Sequence, residues 1–302
     1  MAPETQASDG VWTTGRLLTW TTQYLDRADV DAPRLSAELL LAHALNCRKI
    51  ELYTRFDAVP DDNARSAFRE LVRRAADHEP IAYLVAHKEF YSLDFEVSPA
   101  VLIPRPETEL LVDRAVEFCR QAGEKPVRFI DVGTGSGCVA VAILSQAKNA
   151  TGVATDLSAD ALEVARRNRD RHKLTDRLAL FRADGPNLPP EALAGGRFDL
   201  FVSNPPYIAE GALASLSAGV RDFEPVEALR GGPDGLSLYR GFAAQAPDIL
   251  APGGTMFLEI GADQRNAVVD LFGRDGRFVL GGTWRDPGGP HERVLQFNLQ
   301  KG

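Results

Sequence analysis

The chain has 302 residues, 44% of them apolar and 25% charged, with a formal net charge of −8. That composition excludes a disordered or fibrous chain, and at roughly 150 residues per domain it allows about two domains with cores of their own. No apolar run reaches the roughly 20 residues that cross a bilayer, residues 1–10 (MAPETQASDG) have neither a basic start nor an apolar stretch, and the acidic balance argues against a globally basic nucleic-acid surface, so a cytoplasmic protein is expected.

Residues 11–86 carry helical periodicity alone. Ala64, Phe68, Leu71, Val72 and Ala75 follow an i, i+4, i+7, i+8, i+11 pattern, and Leu35, Leu39, Ala42 and Leu45 mark a second stripe. Pro33 and Pro60 stand just ahead of these stripes, where proline is tolerated. With the leading residues, 1–86 reads as a small all-α bundle. Its function is not written in its residues.

From residue 89 the period changes. Leu93, Phe95 and Val97 alternate with Asp94 and Glu96, as in one arm of a half-buried hairpin. Ser98-Pro99 and Ile103-Pro104-Arg105-Pro106 punctuate the chain before a helical stripe resumes over 107–120. Residues 87–105 are therefore a hairpin linker, and 106–302 a second domain. There the pattern predicts strands at 127–132, 151–155, 178–182, 198–203, 255–260, 278–283 and 294–299, with helices at 138–146 and 159–171. Strands separated by helices imply an α/β fold, a mainly parallel sheet of seven strands covered on both faces.

Residues 129–137 read Phe-Ile-Asp-Val-Gly-Thr-Gly-Ser-Gly, a buried strand running through a glycine loop into a helix. Glycine is required where the backbone turns tightly or where a ligand must approach closer than a Cβ allows. Asp156 closes the next strand 19 residues after Gly137, and a carboxylate there can accept from both hydroxyls of a ribose. Gly133, Gly135 and Gly137 form GxGxG. A dinucleotide fingerprint would need glycine at Cys138, and a P-loop would need GK[ST]. With Asp131 two residues ahead, the loop resembles the first motif of class I S-adenosylmethionine methyltransferases. In that family the loop, here Gly133, Thr134, Gly135, Ser136 and Gly137, carries the methionine end of the cofactor. Asp184, followed by Gly185, falls where such enzymes hold the adenine amino group.

Strand 198–203 ends in Asn204-Pro205-Pro206-Tyr207, at the carboxyl edge where open α/β sheets bind ligands. An NH2 group conjugated to a carbonyl or an aromatic ring is a poor nucleophile, because its lone pair is spread into the π system. Two acceptors aimed at its hydrogens, the Asn204 side-chain oxygen and the Pro205 carbonyl, hold the nitrogen with its lone pair toward an incoming methyl group. The prolines stiffen that carbonyl without adding a competing donor, and Tyr207 can stack on a flat amide or base. Catalysis is then largely positioning and polarisation. Asn204, Pro205, Pro206 and Tyr207 are the candidate catalytic and substrate-binding residues, and Asn204 also borders the cofactor.

The amino group can belong to an amide or to adenine N6 in a nucleic acid. A nicotinamide-dependent oxidoreductase or a non-catalytic nucleotide-binding module shares only the generic fold. Arg166, Arg167, Arg169 and Arg171 read as a solvated face at the end of a helix. Cys138 reads as a small packing residue, despite a helix N-terminus that can acidify a thiol. The three cysteines, Cys47, Cys119 and Cys138, form neither a disulfide framework nor a CxxC knuckle, and His43, His78, His87, His172 and His291 lack ligand spacing, so no metal is expected.

Further marks narrow the choice: Glu79-Pro80-Ile81-Ala82-Tyr83-Leu84, Phe90-Tyr91, Leu102-Ile103-Pro104-Arg105-Pro106-Glu107-Thr108-Glu109, Phe223-Glu224-Pro225 and Glu292-Arg293-Val294. With these the chain resembles the PrmC/HemK-type peptide chain release factor glutamine N5-methyltransferases from Glu79 onward. NPPY is shared with many amino-methylating enzymes, whereas IPRPETE is far more specific. The resemblance implies a class I methyltransferase sheet, S-adenosyl-L-methionine as cofactor, and methylation of the glutamine amide in the Gly-Gly-Gln loop of class 1 release factors. It also implies that the helical domain helps dock the release factor. Stable binding to nucleic acid is not expected, and a monomer is. Relatives with an aromatic residue after the Asp184 position stack it on adenine, which Gly185 cannot do. Glu107 and Glu109 are either helix N-terminal acids or site residues.

Overall fold

The computed structural model describes residues 10–274, 276–286 and 288–301; the leading segment read above for a targeting signal lies, apart from Gly10, outside them. The chain divides into two compact units between Ala86 and His87.

The first unit holds α1 (Thr14–Arg27), α2 (Pro33–Ala44), α3 (Lys49–Thr54), α4 (Asp62–Ala76) and α5 (Ile81–Leu84). Thr13 caps α1 by accepting from Arg16 N, and Asp61 caps α4 by accepting from Ala64 N at 2.8 Å. The stripe expected on α4 is the buried one, through Phe68, Val72 and Ala75. On α2 the phase differs from expectation: Leu35 is 43% exposed, whereas Ala37, Leu40 and Leu41 are buried. The run Leu39-Leu40-Leu41 supports apolar stripes offset by about 100°, and packing against the neighbouring helices selects between them.

The second unit opens with a hairpin, β1 (His87–Phe90) paired antiparallel with β2 (Leu93–Glu96). Its two turn residues, Tyr91 and Ser92, both have positive φ, 53° and 57°, as a two-residue hairpin turn requires. A single helical turn then leads into α6 (Glu109–Gln121). Next come β3 (Val127–Val132), α7 (Cys138–Gln146), β4 (Ala150–Asp156), α8 (Ala159–Arg171), β5 (Leu178–Arg182) and β6 (Phe198–Ser203). The rest is α9 (Ala218–Phe223), α10 (Ser237–Ile249), β7 (Leu250–Glu259), α11 (Arg265–Gly273), β8 (Phe278–Arg285) and β9 (Glu292–Leu299).

The sheet order is β5-β4-β3-β6-β7-β9-β8, parallel from β5 to β7, with β9 antiparallel to both its neighbours. Strand β7 starts five residues earlier than expected, because a register irregularity around Pro252-Gly253-Gly254 breaks the alternation without ending the strand. Successive strand residues face opposite sides. Phe129 and Val202 pack with Leu111, Val116 and Val141 of α6 and α7. Ile130 and Phe201 pack with Tyr239, Phe242 and Phe272 of α10 and α11. The chain leaves β3 toward β4 and β6 toward β7 in opposite directions, so the β3/β6 boundary is a topological switch point, where such sheets bind ligands.

Candidate functional site

A cavity of ≈ 580 Å³ opens at the carboxyl ends of β3, β4, β5 and β6, within the usual range for a small-molecule site. Residues 131–136 of the glycine loop, Asp156, Asp184, Gly185, Asn204 and Pro206 all line it. Gly137, Pro205 and Tyr207 stand outside the lining.

The loop turns through three left-handed glycines, Gly133, Gly135 and Gly137, at φ 74°, 55° and 81°. A Cβ on either of the first two would meet nothing within 4 Å, so their requirement is conformational; one on Gly137 would also stand 3.3 Å from Ala165 of α8. Gly133 and Thr134 donate their N–H groups to Thr155 O, each at 2.9 Å. Asp131 is buried at 1% exposure and accepts from the Thr134 hydroxyl at 2.6 Å; burial pushes its carboxyl up to about 7. The two oxygens of Asp156 take Gly135 N and Ser158 N, both at 2.9 Å. It therefore clamps the loop and keeps lone pairs for a ligand. Asp184 is an exposed carboxylate at the rim. Beside Gly185, Leu238 Cδ2 lies 3.7 Å from where a Cβ would stand. Leu238 and the 55%-exposed Leu157 give the cavity apolar walls where the chain lacks an aromatic residue.

At the end of β6, Ser203 Oγ donates to Val132 O at 2.6 Å and joins the two strands at the switch point. Asn204 turns its amide nitrogen away, donating from Nδ2 to Thr108 Oγ1 at 3.2 Å. Tyr207 packs against the core on the α10 side. Its carbonyl accepts from Gln264 Nε2 at 3.0 Å, and that nitrogen also donates to Gly235 O at 3.2 Å. A Cβ on Gly231 would come within 2.8 Å of Tyr207 Cα, and one on Gly235 within 2.4 Å of Tyr207 O. The 231–235 loop thus clasps the tetrapeptide, a contact that the glycines hint at only once their partner is known.

The IPRPETE segment forms part of the wall through Pro104, Arg105 and Thr108. Arg105 is ion-paired with the buried Glu224, whose Oε2 also accepts from Ile103 N at 3.3 Å, which joins this segment to Phe223-Glu224-Pro225. Glu109 is not in the wall; its carboxylate accepts from Tyr91 N at 2.8 Å and holds the hairpin tip. Glu107 is likewise outside the lining. Asn168, hidden among the arginines of α8, is fully buried. Its side chain accepts from Glu96 N at 2.7 Å and donates to Glu96 O and Ser136 O at 2.9 Å, tying β2 to the glycine loop. Glu259, at the end of β7, is buried at 2% exposure, and burial pushes it up to about 7.

The arginine run is a salt-bridged surface: Arg166 pairs with Glu163, Arg167 with Glu96 and Arg169 with Asp170. Cys138 is a packing residue, with burial pushing its thiol up to about 12. Among the described residues no His, Cys, Asp and Glu group suited to a metal occurs, and no helix is long and apolar enough to cross a membrane.

Two family models match the chain, the PrmC N-terminal domain over residues 16–85 and the methyltransferase small domain over residues 108–219. A release factor glutamine methyltransferase of Nitratidesulfovibrio vulgaris is 44% identical over 256 residues, 85% of each chain. One from Rhodopirellula baltica is 40% identical over 294 residues, covering 96% of this chain and 98% of its own. The crystal structure of a methyltransferase from Pyrococcus furiosus shares the fold at 19% identity, with a TM-score of 0.50 over 76% of this chain and 97% of its own. With relatives this similar along nearly its whole length, the chain belongs to the release factor glutamine methyltransferase family.

Proposed function

We propose that this chain transfers the methyl group of S-adenosyl-L-methionine to the side-chain amide nitrogen (N5) of the glutamine in the Gly-Gly-Gln motif of class 1 peptide chain release factors. One observation carries the reading: the Asn204 amide nitrogen is occupied by Thr108, which leaves Oδ1 to accept at the wall of a cavity that residues 131–136 of the glycine loop and Asp156 also line. The loop fits the methionine end of the cofactor, Asp156 its ribose, and Asp184 with Leu157 and Leu238 its adenine. When bound, the cofactor supplies a methyl group already activated by the sulfonium.

The chain's own part is to bind, orient and polarise. Asn204 Oδ1 and the Pro205 carbonyl accept from the two hydrogens of the glutamine amide and keep its lone pair on the methyl axis. A bound cofactor would give up its methyl carbon and keep the C–S electron pair on sulfur, and the glutamine nitrogen held by Asn204 Oδ1 and the Pro205 carbonyl would take that carbon and release its surplus N–H proton to water. Positioning of this kind supplies most of the acceleration when the electrophile is already activated. The helical unit is assigned to release-factor docking; it exposes Trp20 and Tyr24, stacked at 5.0 Å, along with Ile50 and Tyr53.

Purified protein incubated with methyl-labelled S-adenosyl-L-methionine and a class 1 release factor is expected to add one methyl group to the Gly-Gly-Gln glutamine, read by peptide mass spectrometry. Asn204→Ala is expected to slow transfer by about 100-fold or more while cofactor binding persists. Label on another residue would overturn the substrate, and unchanged turnover would remove Asn204 from the site.

A further inference from the structure

Six charged residues line the cavity, and four of them have a role above. Asp131 accepts from the Thr134 hydroxyl, Asp156 accepts from Gly135 N and Ser158 N, Arg105 is ion-paired with Glu224, and Asp184 is assigned to adenine. Glu227 and Arg230 remain. Both are exposed at the wall, and among the described residues neither side chain has an ion pair or a hydrogen bond. At the same i, i+3 separation elsewhere in the chain the pair closes: Arg48 with Glu51, Arg73 with Glu70 and Arg166 with Glu163.

The segment that carries them is held at both ends. At one end the buried Glu224 is tied to Arg105 and to Ile103 N. At the other, Ile208 N donates to Leu229 O at 3.0 Å and Gly231 N donates to Ile208 O at 2.8 Å, a parallel bridge to the residue that follows the tetrapeptide. Between these anchors Val226–Ala228 make a single helical turn, Arg230 N donates to Val226 O at 2.9 Å, and Leu229 is buried. Residues three apart on such a turn share a face. A fixed stretch of backbone therefore presents a carboxylate and a guanidinium to the cavity beside the strand end that holds the reacting amide.

The two charges together select a class of ligand. A phosphate or a carboxylate offers acceptors only and would be repelled by Glu227, whereas a peptide group offers a carbonyl acceptor and an N–H donor. Two glycines have no side chain to recognise, so they are read through their peptide groups, and without a Cβ their backbone lies close against a wall. We propose that Glu227 and Arg230 are specificity-determining residues that bind the main chain of the two glycines preceding the target glutamine, Arg230 donating to a carbonyl oxygen and Glu227 accepting from an N–H. This rests on the substrate reading given above. A side chain at either glycine would hold the substrate backbone off both groups.

The test measures kcat and KM toward a class 1 release factor, with cofactor affinity from a binding titration, for wild type, Arg230→Met and Glu227→Ala in the full chain. Each substitution is expected to raise KM about 5- to 20-fold, with kcat and cofactor affinity changed by less than about 2-fold, because a binding contact to an exposed charge is lost and no reacting group moves. A second arm uses a short Gly-Gly-Gln peptide and two analogues in which an ester oxygen replaces the N–H of the Gly-Gly or the Gly-Gln bond. Wild type should disfavour one analogue by about 5-fold or more in kcat/KM, and Glu227→Ala should erase that preference, which a merely structural role would leave in place. An unmoved KM in Arg230→Met overturns the proposal, as does a preference that persists in Glu227→Ala. Loss of cofactor affinity alone in Arg230→Met also overturns it, since the guanidinium would then serve the cofactor carboxylate. If wild type methylates the glutamine while both variants match it, only this role fails; if wild type methylates neither factor nor peptide, the underlying reading fails.

Discussion

Asp131 sits at the base of the glycine loop, where a carboxyl has no water to ionise into. Its folded-state value, about 7, lies above the ordinary 3.8, with burial as the main cause and the nearby Asp156 adding like charge. The backbone of Ala140 and the Thr134 hydroxyl offset only part of this. Between those values the folded chain retains a proton that the unfolded chain has released, so stability falls as pH rises across that window. The slope is up to about 1.4 kcal/mol per pH unit for each such carboxyl. Glu259, also raised to about 7, adds a slope of the same sign. Urea unfolding of the ligand-free protein is therefore expected to give a smaller free energy at about pH 7 than at about pH 5. Asp131→Asn, which cannot ionise, should flatten the difference without erasing the share due to Glu259. A wild-type profile that climbs over this range would show that the Asp131 carboxyl is not held neutral by the fold.

Among the elements, the loop that clasps the tetrapeptide is the most sensitive. Gly231→Ala would drive a Cβ to 2.8 Å from Tyr207 Cα, a contact that only a backbone shift relieves. Displacement by about 1 Å at a reacting group costs on the order of 100-fold, so kcat is expected to fall far more than cofactor affinity, checked by steady-state kinetics beside a binding titration. Asn168→Ala acts on the opposite side of the site. It removes three hydrogen bonds, one buried and two partly buried, that tie β2 and the glycine loop to α8. Losing them should cost about 2–4 kcal/mol and, unlike Gly231→Ala, weaken cofactor binding; a urea melt and the same titration measure both. The difference in legibility between these features has a physical basis. Strands β3, β5 and β6 and helices α7 and α8 have the bounds their sequence predicts, because buried parallel strands are short apolar runs that end in loop glycines, prolines or a cap such as Ser158. Helix α10 holds Pro247 inside it, which reads as a helix stop, and the leucine run of α2 admits two phases. In the site, Asp131, the glycines and Asn204 declare themselves through local spacing. Thr108 and Asn168 do not, since their partners lie 96 and 72 residues away. One signal was available: Ala161, Val164, Ala165 and Asn168 follow i, i+3, i+4, i+7, which places an asparagine on the buried stripe of a helix otherwise read by its arginines.

At the scale of the whole molecule, the division of labour follows from where the residues lie. Every described residue that lines the cavity belongs to the unit that begins at His87, as do the hairpin and the loop clasp. The helical unit has its own core, built on Leu18, Leu25, Leu40, Leu52 and Phe68, and keeps Trp20 and Tyr24 at 48% and 39% exposure. A chain shortened to residues 87–302 is therefore expected to bind S-adenosyl-L-methionine within about 3-fold of the full chain, because differences much below about 1 kcal/mol reflect no lost contact. If the helices dock the release factor, the shortened chain should lose far more in kcat/KM toward the intact factor than toward a short Gly-Gly-Gln peptide, which is too small to reach them. Trp20→Ala with Tyr24→Ala in the full chain should reproduce part of that selective loss through KM. Equal losses on both substrates would mean that the helical unit supports the catalytic unit's structure rather than recognising the partner.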